Sequence, residues 1–234
     1  MLLDTQLLSM KTLITFLTFI SCLTFSAAQT SMSFYYVQAL PQGAYQDNLQ
    51  HRPNGIALEF MREIKNVKHL QAGAIINVAM YQNEDFEGQA DINQFQRAYV
   101  ETNEDDCYYI YQGVLRYFLN DTKSNITPYV QVQAGGTTFF SNLAVSEAPD
   151  DSLESSSRHY GTTWLAGLTA GTLVYINEAI SAQLSLGYNF SGNVQYRSSP
   201  ELDNLALYRV SLDDHLEKSK VEHVSAQLGI FMSF

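Results

Sequence analysis

Basic residues, cysteine and long apolar runs are scarce in this sequence, and each shortage argues against a class of protein. Lys and Arg together number 13 among 234 residues, against 24 Asp and Glu, and the formal net charge is -11. This balance argues against nucleic-acid binding through a basic face and against a polybasic lipid anchor. A single segment near the N-terminus is continuously apolar, so the chain does not encode a bundle of transmembrane helices.

Cysteine occurs at two positions, Cys22 and Cys107. Residues 1–28 are predicted to be a secretory signal, with a positive charge before an apolar run and Ser26-Ala27-Ala28 as a small-residue cleavage site. Cleavage there leaves Cys107 alone in the mature domain, residues 29–234, and excludes an intramolecular disulfide. An exported chain without disulfides must instead be stabilised by an extensive sheet and a large apolar surface.

Three alternatives remain open at the N-terminus. The true start is either Met1 or Met10, because the residues before Met10 lack a charged signal region. The apolar run is alternatively a retained membrane helix, although it is shorter than the roughly 20 residues that a span needs. A lipoprotein signal ending at Cys22 is the third alternative, but Leu23 and Phe25 continue the apolar run past that cysteine.

Period-two alternation of apolar and polar residues dominates the rest of the sequence, which indicates β-strands rather than helices. The final segment shows it best, with apolar residues at Val224, Ala226, Leu228, Ile230, Met232 and Phe234. The residues between them are Ser225, Gln227, Gly229, Phe231 and Ser233, of which Phe231 alone breaks the pattern. This patterning, with 15 Tyr and 13 Phe, excludes a disordered chain.

The alternation predicts eight strands in one domain. Their predicted ranges are 31–42, 55–64, 70–82, 107–119, 126–143, 160–176, 180–197 and 219–234. Short turns at 65–69, 120–125 and 177–179 alternate with long loops at 43–54, 83–106, 144–159 and 198–218. Short turns at one end and long loops at the other are typical of bacterial transmembrane β-barrels. Residues 92–99 are either an extension of the neighbouring strands or an extra hairpin, which would make ten strands.

The chemistry of the two strand faces indicates which face meets lipid. Small and amide side chains on one face suit the crowded interior of an eight-stranded barrel, whereas the other face carries aliphatic and aromatic residues. A membrane-interface girdle is expected from aromatic residues toward the predicted strand ends: Tyr109, Tyr111, Tyr117, Trp164, Tyr188 and Phe234. The long loops hold 18 of the 24 acidic residues. The sequence therefore predicts an all-β, antiparallel transmembrane barrel with acidic loops.

Several short motifs resemble a known family. The last strand, ending in Phe234 with an apolar residue at every second position, resembles the assembly signal of Gram-negative outer-membrane proteins. Tyr117-Phe118, Pro128-Tyr129-Val130 and Gly135-Gly136 resemble the porin-like family of small outer-membrane barrels, similar to the OmpA barrel, OmpX and OmpW. The resemblance implies a cell outer-membrane location, with outer-membrane lipid, lipopolysaccharide and the barrel-assembly machinery as partners. The peptidoglycan-binding domain of OmpA has no counterpart, so no cell-wall anchoring is expected.

Three charged residues at predicted inward positions form the first candidate site. Glu59 and Glu63 lie on the polar face of their strand, and Arg116 lies between the apolar Leu115 and Tyr117. An unpaired charge inside a narrow barrel is very costly, so a carboxylate and the guanidinium are expected to pair. Such a pair either plugs the lumen as a structural element or acts as a gate for ions.

A second candidate is His223 with Ser225, which share the inward face of the last strand beside Glu222. Some lipid A-deacylating barrel enzymes use a His and a Ser at such spacing with a Glu, and an activated serine needs an adjacent base and an orienting acid. Residues two apart on a strand are roughly 6–7 Å from each other, too far for a direct hydrogen bond unless the side chains lean together. An inward polar pair without catalysis is therefore expected.

Metal and cofactor sites are not predicted. The five histidines lack ligand spacing, and the pairs Asp105-Asp106 and Asp213-Asp214 lie outside any Gly-turned calcium loop. No phosphate-binding glycine loop or dinucleotide fingerprint is present in the sequence. The leading hypothesis is a non-enzymatic outer-membrane barrel with a structural or surface-interaction role through acidic extracellular loops, where an extracellular ligand is one candidate partner. Rival hypotheses are a narrow small-solute pore gated by interior charges, a lipid A-modifying enzyme and a soluble lipocalin-like carrier.

Overall fold

The computed structural model of the protein describes residues 30–47, 49, 52–93, 96–120, 124–148, 154–197 and 216–234. For residues 82–104, 143–148, 154–157, 197 and 216 it describes the backbone alone. The predicted signal, residues 1–28, lies outside the described residues, as do Asp213 and Asp214.

Eight antiparallel strands form one closed barrel in chain order, which confirms the predicted fold class. The strands are β1 (Thr30–Gln42), β2 (Asn54–Glu63), β3 (Leu70–Asn93), β4 (Gln96–Phe118), β5 (Ile126–Ala148), β6 (Glu154–Tyr175), β7 (Ile180–Arg197) and β8 (Leu216–Ser233). A short helix, α1 (Ala44–Asp47), lies between β1 and β2. β1 pairs with β8 from Ser31↔Ser233 to Gln42↔Glu222 and closes the sheet. Closure leaves no strand edge unpaired in the part that faces hydrocarbon.

The strands on the long-loop side extend further than the sequence predicts. The predicted loop 83–106 is wrong, because β3 and β4 continue through it and pair as far as Asn93↔Gln96. Residues 92–99 are therefore the tip of this hairpin, and the ten-strand alternative is wrong. β5 also runs on to Ala148, and β6 begins at Glu154. The eight acidic residues of the predicted loop 83–106 thus belong to strands, as do Glu147, Glu154 and Glu217 from other predicted loops.

Alternation along each strand sorts the side chains between an outer wall and the lumen. Large apolar residues on the outer wall are exposed, among them Leu186 at 63%, Leu168 at 61% and Trp164 at 55%. Gln131, Gln183, Thr169 and Ser225 face inward and are buried. A contiguous apolar wall of this size is stable in lipid and not in water. The soluble-carrier hypothesis requires the inverse arrangement and is wrong.

Two details of the sequence prediction need correction. All six predicted girdle aromatics are exposed on the outer wall. Because the strands continue past the predicted loops, however, Tyr109 and Trp164 lie within β4 and β6 rather than at their ends. Phe231, which breaks the alternation, faces the lumen and packs with Phe118, Tyr129 and Leu173. No described helix is long and apolar enough to cross a membrane.

Candidate functional site

An ion pair crosses the lumen in the half nearer the short turns. Arg116 Nη2 donates to Glu59 Oε1 at 2.6 Å, and both side chains are completely buried. Alternation along β2 and β4 turns both residues inward, and the Ser33 hydroxyl donates to the same Glu59 oxygen at 3.4 Å. Loss of either partner would leave a buried unpaired charge, so the two residues act as one unit. Glu63 lies half-buried at the end of β2, and the described contacts of Arg116 do not include it.

A chain of side-chain amides continues from Arg116 across the lumen. Arg116 Nε donates to Gln131 Oε1 at 2.9 Å, and Gln131 Nε2 donates to Gln133 Oε1 at 3.1 Å. Gln133 Nε2 donates to Asn189 Oδ1 at 2.8 Å, and Asn189 Nδ2 lies 3.2 Å from His223 Nε2. Because the amide nitrogen can only donate, His223 Nε2 accepts this last bond. The chain links β4, β5, β7 and β8 through buried polar groups, which rigidifies the centre of the barrel.

The structure does not assemble the candidate triad. His223 and Ser225 are both buried in the lumen, where His223 Nε2 bonds to Asn189. Glu222 faces the other side of the wall, where it accepts a hydrogen bond from the Tyr188 hydroxyl at 3.3 Å. An orienting acid must bond to the imidazole, and Glu222 does not lie on the same face of the strand. Nothing in the geometry therefore supports nucleophilic catalysis at Ser225.

Apolar clusters fill the lumen around the polar chain. Phe118, Tyr129, Leu173 and Phe231 close the end nearer the short turns. Arg116 Cζ lies 4.2 Å from the Tyr129 ring centroid, a cation–π contact that holds the guanidinium against this cluster. A further cluster along β1 to β4 comprises Tyr35, Val37, Ala57, Met61, Ile75 and Val114. The described part of the lumen is therefore packed with side chains.

Aromatic rings close the opposite end of the lumen, which is called the mouth below. The mouth rings are Tyr81, Tyr108, Phe139 and Tyr196, and Tyr45 from α1 inserts among them. The Tyr45 ring meets Tyr196 at 5.4 Å and Phe139 at 6.3 Å between centroids, both edge to face. Burial, reinforced by Tyr108, Tyr81 and Tyr196, raises the pKa of Tyr45 well above its ordinary value, so its hydroxyl stays neutral.

Phe234 lies at the seam where the barrel closes. Its backbone N–H donates to the Thr30 carbonyl at 2.9 Å, and its side chain is exposed on the outer wall. The seam position is consistent with docking of the last strand during assembly. Its role as an assembly signal stays a prediction.

Comparisons with known proteins give matches in fold alone. No protein-family model and no curated protein matches the sequence. Among solved structures, Neisserial surface protein A is 11% identical at a TM-score of 0.46, covering 89% of this chain and 98% of that one. Ail of Yersinia pestis, solved with the heparin analogue sucrose octasulfate, is 18% identical at a TM-score of 0.45, covering 89% and 100%. The Escherichia coli outer-membrane protein W is 14% identical at a TM-score of 0.40, covering 90% and 100%.

This chain is a membrane-spanning, closed eight-stranded β-barrel. Its closed sheet, its apolar outer wall and the short turns at one end establish this character.

Sequence reasoning missed two parts of the site. Alternation placed Gln131 and Gln133 inward, but the hydrogen-bonded chain to Asn189 and His223 depends on the register of nonadjacent strands, which no local pattern encodes. Tyr45 lay in a predicted loop, where nothing in the sequence marks a residue as buried.

Proposed function

We propose that the protein is a non-enzymatic outer-membrane barrel that presents an acidic β-hairpin to a cationic partner outside the cell. The hairpin consists of the parts of β3 and β4 beyond Asn54↔Met80, the last pair between β2 and β3. It runs from residue 82 to its tip and back to residue 106. At about 3.4 Å per residue its arms are roughly 40 Å long, so they project well beyond the hydrocarbon region. Short turns mark the opposite end as periplasmic.

Charge and register in the hairpin support a cationic partner. Residues 82–106 hold one basic residue, Arg97, and eight acidic ones: Glu84, Asp85, Glu87, Asp91, Glu101, Glu104, Asp105 and Asp106. The register sets Glu84 opposite Glu104 and Glu87 opposite Glu101. Like charges directly opposite each other weaken a strand pair, and a bound cationic group would relieve that repulsion. The observation that carries the proposal is the concentration of eight acidic residues and one basic residue in a single projecting hairpin, with glutamates at opposite register positions.

The experiment compares two variants that lose the same number of charges. Fluorescent deca-lysine is titrated at low salt onto the barrel in phosphatidylcholine nanodiscs. Glu87→Gln with Glu101→Gln removes one carboxylate pair from the hairpin. Glu63→Gln with Glu178→Gln removes two carboxylates from the short-turn end. Weaker peptide binding in the first variant alone supports the proposal, and an equal loss in both would show that net charge, not the hairpin, attracts the peptide.

The buried Glu59–Arg116 pair supports a second candidate, a narrow pore gated by these charges. Opening of the pore would require the Arg116 guanidinium to leave Glu59 and the side chains packed around the pair to rearrange. Recordings in a planar lipid bilayer test this function directly. Discrete conductance steps that change in Arg116→Lys would favour the pore, and a silent bilayer would favour the closed scaffold.

A further inference from the structure

We propose that the mouth of the barrel is a binding site for a small uncharged aromatic molecule, and that Tyr45 occupies this site as an internal ligand. The inference goes beyond the proposed function, since it concerns the lumen side of the mouth and not the acidic hairpin. Three observations carry it: a preformed box of rings, an unpartnered hydroxyl inside it, and a weak tether on the residue that fills it.

The box is built by rings from separate strands. Tyr108 and Phe139 lie 5.4 Å apart between centroids, Phe139 and Tyr196 lie 5.5 Å apart, and Tyr81 stacks on Tyr108 at 6.3 Å. Tyr81 bonds to Ser141 at 3.3 Å and Tyr196 bonds to Ser219 at 2.8 Å. These bonds hold both rings in place independently of Tyr45. The box therefore persists as a ring-shaped site whichever ring enters it.

The Tyr45 hydroxyl is buried in this box without a hydrogen-bond partner among the described residues. Tyr45 is only 1% exposed, so water at the surface does not replace the missing partner. The buried hydroxyl without a partner disfavours the inserted position of the Tyr45 ring. Compared with a ring that lacks the hydroxyl, the equilibrium between inserted and withdrawn positions shifts toward withdrawal by roughly tenfold. A plain aromatic ring avoids this cost, whereas a charged one would lose its hydration in an apolar site.

Besides its own ring, a short backbone segment and Leu49 hold Tyr45 in place. It belongs to a helix of four residues, a length far below that of a stable isolated helix. The helix follows Gly43, whose φ of 58° is accessible to glycine at low cost. Two of its described backbone hydrogen bonds run to the Gly43 carbonyl, from Gln46 at 2.9 Å and from Asp47 at 3.3 Å. A third runs from Leu49 to the Gln46 carbonyl at 3.4 Å, and the partly buried Leu49 packs against the mouth rings. Ring and ligand therefore compete for one site, and ligand affinity depends on how well residue 45 fills it.

The test measures binding of 4-fluorotoluene by fluorine NMR to the barrel in nanodiscs, with empty nanodiscs as the partition reference. Saturable binding is expected in the natural chain. Tyr45→Phe should bind roughly tenfold more weakly, because the competing ring no longer buries a hydroxyl. Tyr45→Ala should bind at least tenfold more tightly, because the box has no internal ligand. An intermolecular NOE from the probe to the Phe139 ring places it in the mouth.

Lipid-facing Tyr36 supplies the matched control, since its ring is 48% exposed on the outer wall of β1. Tyr36→Phe and Tyr36→Ala should leave the affinity unchanged. Equal affinity in the natural chain, Tyr45→Phe and Tyr45→Ala would overturn the proposal. So would binding confined to Tyr45→Ala up to the solubility limit of the probe, because Tyr45 would then be a permanent part of the wall.

Discussion

At the residue scale, the lumen depends on whether each buried polar atom has a partner. Glu59 and Arg116 bond to one another, Gln131 takes a second donor of Arg116, and Tyr129 covers the guanidinium. Glu59 Oε2 and Arg116 Nη1 are buried without a hydrogen-bond partner among the described residues. Such a unit gives little net stability compared with apolar packing, yet breaking it is costly. The difference between breaking the ion pair and removing it altogether can be measured.

Removing both members of the ion pair should cost less stability than the sum of the two single losses. Glu59→Gln and Arg116→Gln are each expected to lower the free energy of unfolding by about 3–5 kcal/mol, because each leaves a buried charge unpaired. The double variant should lose clearly less than the sum of the two. Urea unfolding of the barrel in lipid vesicles gives these values. Additive losses would show that the residues do not act as one unit.

Two tyrosines at the mouth should respond in opposite ways to loss of the hydroxyl. Tyr45→Phe removes a buried hydroxyl with no described partner, so it should stabilise the barrel. Tyr196→Phe removes the bond to Ser219 and should cost about 0.5–1.5 kcal/mol. Thermal unfolding followed by gel mobility reports both. A destabilised Tyr45→Phe would mean that the Tyr45 hydroxyl has a partner outside the described residues.

Sequence patterns predicted the inward position of single residues but not their partners. The alternation around Leu115 and Tyr117 was enough to place Arg116 in the lumen, and electrostatics then required an acid nearby. Glu59 and Glu63 have the same parity on β2, so the pattern alone did not choose between them. The register of the neighbouring strands does not make the choice either, because it sets Arg116 opposite Gln71 and Gln71 opposite Glu63. The side-chain geometry makes it, since Arg116 Nη2 reaches Glu59 Oε1 at 2.6 Å.

At the element scale, two glycines on the β4–β5 pair differ in the space beside them. A Cβ on Gly135 would lie 2.0 Å from the Tyr111 carbonyl oxygen and 2.6 Å from the Gln112 Cα. A Cβ on Gly113 would meet only the Ala134 carbonyl oxygen, at 3.8 Å. Gly135 therefore allows a close backbone approach between the strands, whereas Gly113 does not serve that purpose.

Alanine substitutions at Gly135 and Gly113 should have different effects on stability. Gly135→Ala is expected to destabilise the barrel by about 1–3 kcal/mol, because the backbones must move apart. Gly113→Ala should be neutral or slightly stabilising, because alanine restricts the unfolded chain more than glycine does. Folding yield into vesicles and urea midpoints report the difference. Equal effects at the two positions would contradict the close approach at Gly135.

The acidic hairpin should become more protected when its repulsion is removed. Glu87 and Glu101 are directly opposite each other in the register, and Glu87→Gln with Glu101→Gln removes one like-charge pair. Amide hydrogen exchange across 82–106 should slow in this variant, because the hairpin opens less often. Glu63→Gln with Glu178→Gln should leave that exchange unchanged. Faster hairpin exchange in the first variant would contradict the repulsion.

This hairpin also shows why strand ends were harder to predict than strand centres. Where one face meets lipid, as from Val130 to Ala134, the alternation is strict and the strand is evident from the sequence. Beyond the membrane the sequence of β3 still alternates, with Phe86, Ala90 and Ile92 between polar residues, but its many acidic residues give the segment the composition of a loop. The strands persist there through backbone pairing, which leaves no mark on composition.

At the scale of the whole molecule, the lumen, the outer wall and the projecting hairpin differ in chemistry. Eight strands are too few to leave an open aqueous channel, and the described lumen is packed by a central polar chain between two aromatic clusters. The outer wall is apolar, and the projecting hairpin is acidic. A packed lumen of this kind fits the proposed scaffold for a projecting hairpin better than it fits the proposed pore.

Heat-modifiable gel mobility of the protein in an outer-membrane fraction tests the closed, lipid-spanning barrel most directly. The unheated protein should sediment with the outer membrane and migrate faster than the boiled protein, because the paired sheet stays compact in detergent until heat opens it. Recovery in the soluble fraction, or identical mobility before and after boiling, would contradict a membrane-spanning closed barrel.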